Sequence, residues 1–263
     1  MTDNSMTDAK KVDNRKTLIL TGASRGIGHA TVKRFSDENW RIITCSREDV
    51  PDACKRDPNW HAHIAVELSD PADVTHFIEE ANRILDGDPL HALINNAAMS
   101  PKTAFKERLG CLNGDLDTWR AVFELNFFAP LVLSRGLAAA LGRGAKDPSE
   151  NKGAAVVNIT SIAGHEIHPF AGSAYATSKA ALSALTRELA VEFAELGVRV
   201  NAVAPGEIET EMVGDEYEPL INRIPMHRMG TADEVAACVF QLCNSDFSYV
   251  TGTEIFITGG QHL

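Results

Sequence analysis

The chain has no excess of positive charge, no long apolar run and no clustered cysteines, and each absence removes a class of function. A formal net charge of -11 over 263 residues repels phosphate backbones and anionic lipid, so neither nucleic acid nor membrane is expected as a partner. No stretch approaches the roughly 18 consecutive apolar residues of a membrane span, and no apolar run of signal-peptide length opens the chain. The cysteines Cys45, Cys54, Cys111, Cys238 and Cys243 are odd in number and scattered, without C-x-x-C or a histidine at metal-ligand spacing. They read as free thiols of a reducing, cytoplasmic compartment, with no metal site. Linkers rich in Gly, Ser or Pro are missing too, so residues 17–263 are expected to form one domain behind a polar, disordered leader of residues 1–16.

What is present is an alternation of strand and helix patterns. Apolar runs at 17–20, 41–45, 61–68, 92–94, 154–159, 198–203 and 253–257 are separated by amphipathic stretches, among them a long apolar helix from Asp117 to Leu141. Such an alternation predicts an α/β fold, a doubly wound parallel sheet of seven strands with helices on both faces. Ligands in such sheets bind beyond the carboxyl ends of the strands. Gly22, Arg47, Leu68, Asn95, Ser161 and Pro205 all fall at those ends.

The first strand runs directly into T-G-A-S-R-G-I-G and a helix. Gly22, Gly26 and Gly28 permit a tight turn and the close approach of a pyrophosphate to the positive end of that helix, so a dinucleotide is expected there. Where the second strand ends, an acidic residue selects NAD and a basic one receives the 2'-phosphate of NADP. Ser46 stands at the acidic position, Arg47 follows, and Arg25 in the glycine turn reaches toward the same phosphate. NADP is therefore favoured, with Glu48 and Asp49 leaving NAD as the other reading. The end of the third strand, Glu67 and Leu68, borders the adenine.

Tyr175 and Lys179 lie one turn apart on a helix whose apolar positions Leu182, Leu185, Leu189, Phe193 and Leu196 recur every three or four residues. A phenol with a reference pKa near ~10 needs a downward shift to exchange protons near neutrality, and a lysine charge at about 4 Å supplies it. Alone, the pair also reads as an ordinary tyrosine beside a solvated lysine.

Taken together, T-G-A-S-R-G-I-G, N-N-A-A, Asn126, Ser161, Y-x-x-x-K and P-G-E-I-E-T resemble, in order and spacing, the single-domain short-chain dehydrogenase/reductases, including the 3-oxoacyl-acyl carrier protein reductases. The resemblance covers about residues 17 to 260 and implies a Rossmann-like fold and a homotetramer. It implies a tetrad in which Tyr175 is general acid or base, Ser161 holds the carbonyl oxygen, Lys179 tunes the phenol and binds the nicotinamide ribose, and Asn126 holds a water. It also implies cofactor contacts from Ser24, Ile27, Asn95 and Ala97. Further contacts would come from Pro205, Gly206, the Ile208 backbone and the Thr210 side chain around the carboxamide.

His165, His168 and Phe170 would wall the substrate pocket, although both histidines also read as solvent-facing loop residues. Met212 and Tyr217 would line a lid. The expected activity is hydride transfer between nicotinamide C4 and a small ketone or secondary alcohol. Two departures bear on substrate: Ala98 replaces the usual glycine after N-N-A, and Leu196, preceded by Glu195, stands where a basic residue often docks acyl carrier protein. An acyl-thioester reductase and a non-catalytic dinucleotide sensor remain the alternatives. Extended-branch dehydratases and epimerases would need a larger C-terminal portion than follows the last strand.

Overall fold

The computed structural model describes residues 13–49, 54–102, 107–147, 153–209 and 218–263, with only the backbone of Glu218. The leader expected for residues 1–16 therefore falls mostly outside the described residues, as do Thr210, Met212 and Tyr217.

Seven strands form one sheet: β1 (Thr17–Thr21), β2 (Arg41–Ser46), β3 (Trp60–Ala65), β4 (Ala92–Asn95), β5 (Ala155–Ile159), β6 (Arg199–Pro205) and β7 (Glu254–Ile257). Every pairing is parallel and the order is β3-β2-β1-β4-β5-β6-β7. The expected fold class is thus the observed one. The order reverses between β1 and β4, and at such a switch point the connections diverge to opposite faces and leave a crevice above the strand ends.

The helices are α1 (Gly26–Asp37), α2 (Pro71–Leu85), α3 (Leu116–Phe123), α4 (Ala129–Ala145), α5 (Ser173–Ala194), α6 (Glu218–Ile221) and α7 (Ala232–Cys243). Each face of the sheet builds its own core. On one side Phe77, Leu85, Leu133, Leu137, Leu141, Leu189 and Phe193 pack from α2, α4 and α5 onto Ile19, Leu93 and Val156. On the other, Phe35 of α1 meets Trp40 and Phe240 edge-on with ring centroids 4.9 and 5.1 Å apart. Strands buried on both faces read as continuous apolar runs for this reason.

Element ends follow their caps. Asp70 accepts the Ala72 N–H at 2.9 Å ahead of α2, with Pro71 in the first turn. Thr231 and Glu234 close a reciprocal capping box at α7. Two sequence boundaries move: β3 ends at Ala65 rather than 68, and β6 continues to Pro205, which sets Gly206 and Glu207 at the rim of the crevice. The long apolar helix expected over 117–141 is not regular. One π-helical turn, Glu124–Phe128, separates α3 from α4 and contains Asn126. Single π turns of this kind re-aim side chains at functional sites.

Candidate active site

Four strand ends converge on the crevice. At the first, the turn after β1 is held from beneath by two polar residues. The Asn96 side chain donates to the carbonyls of Thr21 and Gly22, both at 3.0 Å, and the Thr21 hydroxyl accepts the N–H groups of Asn96 and Ala97 at 3.0 Å. A Cβ on Gly28 would stand 2.0 Å from the Gly22 carbonyl oxygen, so only glycine lets helix and turn approach this closely. Helix α1 begins after Arg25, which gives no side-chain cap, and its first turn holds no acidic residue. Its leading N–H groups and positive end are therefore available to an anion. Ser24 and Ile27 are half-buried along this turn, while Arg25 and Gly26 are exposed. A pyrophosphate fits this donor set.

At the second, Arg47 is exposed and its guanidinium lies 3.8 Å from the Glu67 carboxylate. The Ser46 hydroxyl donates to the Glu48 carbonyl at 2.6 Å and contacts His63 Nε2 at 3.2 Å. Leu68 is buried. Asn95, at the end of β4, is also buried: its Nδ2 donates to Asn158 Oδ1 at 2.8 Å, and its Oδ1 is unpaired. The Asn95 side chain thus braces β4 against β5.

At the third, β5 delivers Ser161 and α5 delivers Tyr175 and Lys179. The Ser161 hydroxyl accepts the Ala163 N–H at 3.1 Å, which leaves its own proton free to donate. Lys179 is buried, with Nζ donating to the Ile159 carbonyl at 2.6 Å and lying 5.7 Å from the Tyr175 ring centroid. Asn126 is buried beside them. Its Nδ2 donates to the Met99 carbonyl and the Ser178 hydroxyl, both at 3.0 Å, and its Oδ1 accepts the Met99 N–H at 2.9 Å. Both of its N–H bonds are used, and one Oδ1 lone pair remains for a water. The structure therefore brings all four tetrad residues together, with Asn126 tying the segment after β4 to α5.

Burial pushes the Tyr175 phenol above its ordinary pKa; hydrogen bonding to Ser161 pulls it back, and the Glu207 carboxylate pushes it up further. Burial alone lowers the Lys179 ammonium from 10.5 to about 7. Burial thus works against the ammonium charge that would pull the phenol down, and it holds the proton on Tyr175. The same burial has a stability consequence. Between about 7 and 10.5 the unfolded chain binds a proton at Lys179 that the folded chain does not, so stability rises with pH across that window and is lowest below it. Lys179→Met is expected to flatten this slope and to melt above the parent at neutral pH, read from denaturant melts of both at matched pH.

At the fourth, β6 ends in Pro205 and the turn continues with Gly206, Glu207 and Ile208. The Gly206 N–H donates to the Ile257 carbonyl at 2.9 Å, and Ile208 pairs with Gly230 in a single parallel bridge. Of the proposed pocket histidines, His165 pairs with Glu254 of β7 at 3.0 Å and packs edge-on against Phe256. His168 is hydrogen-bonded to Glu207. Phe170 lies under the Lys102 ammonium, 5.6 Å from the ring centroid. Neither Glu207 nor Glu254 stands out in the sequence, where an acidic residue after P-G and another in the last strand carry no local pattern.

A nucleotide-binding glycine turn, a Tyr-Lys pair on one helix and a serine at the neighbouring strand end define a dehydrogenase/reductase site on a doubly wound sheet. Comparison with known proteins agrees, and the chain belongs to the short-chain dehydrogenase/reductase family of oxidoreductases. The family described as enoyl-(acyl carrier protein) reductase matches residues 22–262. Protein FixR of Bradyrhizobium diazoefficiens is 50% identical over 250 residues, covering 94% of this chain and 87% of FixR. An oxidoreductase from Brucella ovis in complex with a partially ordered NAD is 49% identical with a TM-score of 0.77, covering 93% of this chain and all of that one. A 3-oxoacyl-[acyl-carrier protein] reductase from Brucella melitensis is 28% identical with a TM-score of 0.83, covering 94% of this chain and 91% of that one.

Proposed function

We propose that the chain is an NADP(H)-dependent carbonyl reductase or alcohol dehydrogenase acting on a small ketone or secondary alcohol. The observation that carries this is the convergence of Ser161, Tyr175 and Lys179 beside the uncapped start of α1. The bound dinucleotide supplies or accepts the hydride at nicotinamide C4. Gly22 to Gly28 and the first turn of α1 hold its pyrophosphate, and Pro205 to Thr210 its carboxamide end. Ser161 donates to the carbonyl oxygen and sets it in line with the phenol, and Tyr175 gives that oxygen its proton as negative charge develops there. A phenol held above its ordinary pKa keeps its proton available for reduction at neutral pH. Tyr175, left as a phenolate, takes a proton back from the Lys179 ammonium beside it, which solvent replenishes, and Asn126 fixes α5 against the segment after β4.

Arg25 in the glycine turn and Arg47 after β2, both exposed, support NADP, since a basic residue at the end of the second strand receives the 2'-phosphate in this fold. The Brucella ovis relative holds NAD, and a Pseudomonas aeruginosa relative at 29% identity is an NADP complex, so the residues of this chain decide. Arg47→Ala is expected to raise KM for NADPH by about 10-fold or more, the worth of one charge-assisted hydrogen bond, and to leave KM for NADH near its parental value. The reading as a whole is tested by a panel of ketones, alcohols and a 3-oxoacyl thioester with NADPH and NADH side by side. Thioester turnover far above every ketone favours the acyl-thioester alternative.

The compartment proposed is the cytoplasm, in keeping with five free thiols, two of them buried. Phe128 at the π turn and Val191 on α5 leave apolar surface exposed, which supports a homotetramer built through these helices. Light scattering after size exclusion is expected to show a multiple of 28.5 kDa; a species of one chain alone contradicts it.

A further inference from the structure

Glu207 sits at the rim of the crevice and is fixed at both ends. Its backbone carbonyl accepts the Gly230 N–H at 2.9 Å, and the Glu209 N–H returns to the Gly230 carbonyl at 2.8 Å, so the turn cannot swing. Its side chain is 9% exposed, and Oε1 is held by His168 Nε2. The state of that histidine follows from its other nitrogen. His168 Nδ1 accepts the backbone N–H groups of Phe170 and Ala171, each at 3.1 Å. A ring nitrogen that accepts two N–H groups carries no proton, so the proton is on Nε2 and the imidazole is neutral. Glu207 Oε1 therefore accepts from the His168 Nε2–H, which leaves one carboxylate oxygen satisfied.

The second oxygen, Oε2, has no partner among the described residues and is not sealed from solvent. Glu207 follows the end of β6, which pairs with β5 up to Ile159 just before Ser161, and its partner His168 lies in the loop between Ser161 and Tyr175, so this carboxylate stands at the reacting end of the crevice. The segment from Pro205 to Thr210 clasps the carboxamide, but neither proton transfer nor that clasp, as derived above, uses the Glu207 side chain. A ligand that closes over Oε2 displaces solvent from it and must bring a donor in exchange, since a desolvated carboxylate oxygen without one is costly. A hydroxyl does so without burying a second charge, whereas an ammonium must also be desolvated. A substrate carboxylate would face a like charge in a low-dielectric site.

We propose that Glu207, set in place by His168, is a substrate-binding residue that selects ketones bearing a hydroxyl beside the reacting carbonyl and turns away anionic ones. The proposal rests on the carbonyl-reductase reading and names the substrate class of that site. Hydroxyketones, and the vicinal diols they become, are the chemistry it fits.

The test is a matched series differing only beside the carbonyl: acetophenone, phenacyl alcohol, phenacylamine and phenylglyoxylate, with acetone, hydroxyacetone, aminoacetone and pyruvate as the aliphatic counterpart. The full chain is assayed with NADPH, and ratios of kcat/KM within a series cancel any general loss of activity. The hydroxyketone is expected about 10-fold or more above its parent ketone, the range of a hydrogen bond to a charged group, with the oxoacid below the parent. In Glu207→Ala the hydroxyketone ratio is expected to fall toward one. Glu207→Gln keeps the volume and the bond from His168 but replaces the charge by an amide N–H that the hydroxyl can still accept from, so the ratio falls part of the way and the oxoacid gains.

Ratios unchanged in both variants overturn the proposal, as does an aminoketone preferred over the hydroxyketone. Turnover of plain ketones alone overturns it and leaves the reductase reading standing. Turnover of no member, with NADPH binding intact, overturns both. Undiminished turnover in Tyr175→Phe overturns the reductase mechanism, while the Glu207 ratios still report on substrate choice.

Discussion

Tyr175→Phe is expected to lower kcat for ketone reduction by about 10²–10⁴-fold, the usual contribution of a positioned proton donor, while NADPH affinity stays near the parental value. The substitution removes one oxygen from a half-buried ring and leaves the packing of α5 intact, so stability is expected to be nearly unchanged. The split between binding and turnover is the informative part. A residue that merely lined the pocket would raise KM, whereas loss of the proton donor appears in kcat. Steady-state rates against a fixed ketone, with NADPH titrated separately by fluorescence, read the two quantities apart. Because the phenol sits above its ordinary pKa, the parental reduction rate is not expected to fall through loss of the Tyr175 proton near neutral pH.

The second large effect is at the glycine turn. Gly28→Ala would bring a methyl group to 2.0 Å from the Gly22 carbonyl oxygen and 2.6 Å from Asn96 Nδ2. Neither neighbour can retreat, because the Asn96 amide is committed to the carbonyls of Thr21 and Gly22 and the turn is tied to β1. The turn must therefore open, at an overpacking cost of about 1–3 kcal/mol. Opening moves the N–H groups that cradle the pyrophosphate, so NADPH binding is expected to be lost beyond the assay range. Gly26→Ala is the contrast. Its Cβ meets nothing within 4 Å, and the penalty comes only from a φ of +56°, about 1–2 kcal/mol of left-handed strain. A lower melting temperature for both, with binding abolished for Gly28→Ala and weakened for Gly26→Ala, is the expected pattern.

How far the sequence discloses this molecule depends on the range of the interaction involved. The turn from β1 into α1 is legible because strand, glycines and helix are consecutive and each follows from local backbone preference. The Tyr175 and Lys179 pair is legible for the same reason, as a one-turn helical spacing. The π turn at Asn126 is not, since one extra residue in a turn barely disturbs the recurrence of Val122, Phe128, Val132 and Leu133. Nor is the direction of the Asn95 side chain, which is settled by Asn158 on the adjoining strand. His165 and His168 read as loop residues because their partners, Glu254 and Glu207, arrive from strands laid down much later in the chain. Tertiary pairing of charged groups leaves no period to detect, so the part of the site that bears on substrate choice is the part the sequence conceals.

The claim on which everything rests is that this crevice moves a hydride onto a carbonyl carbon. The direct measurement uses NADPH carrying deuterium at both C4 positions of the nicotinamide and a hydroxyketone, with mass spectrometry of the alcohol formed. The expected result is one deuterium on the carbinol carbon, lost in Tyr175→Phe. Tight NADPH binding with no label transferred to any ketone or thioester would contradict it and return the fold to a dinucleotide-binding role without chemistry.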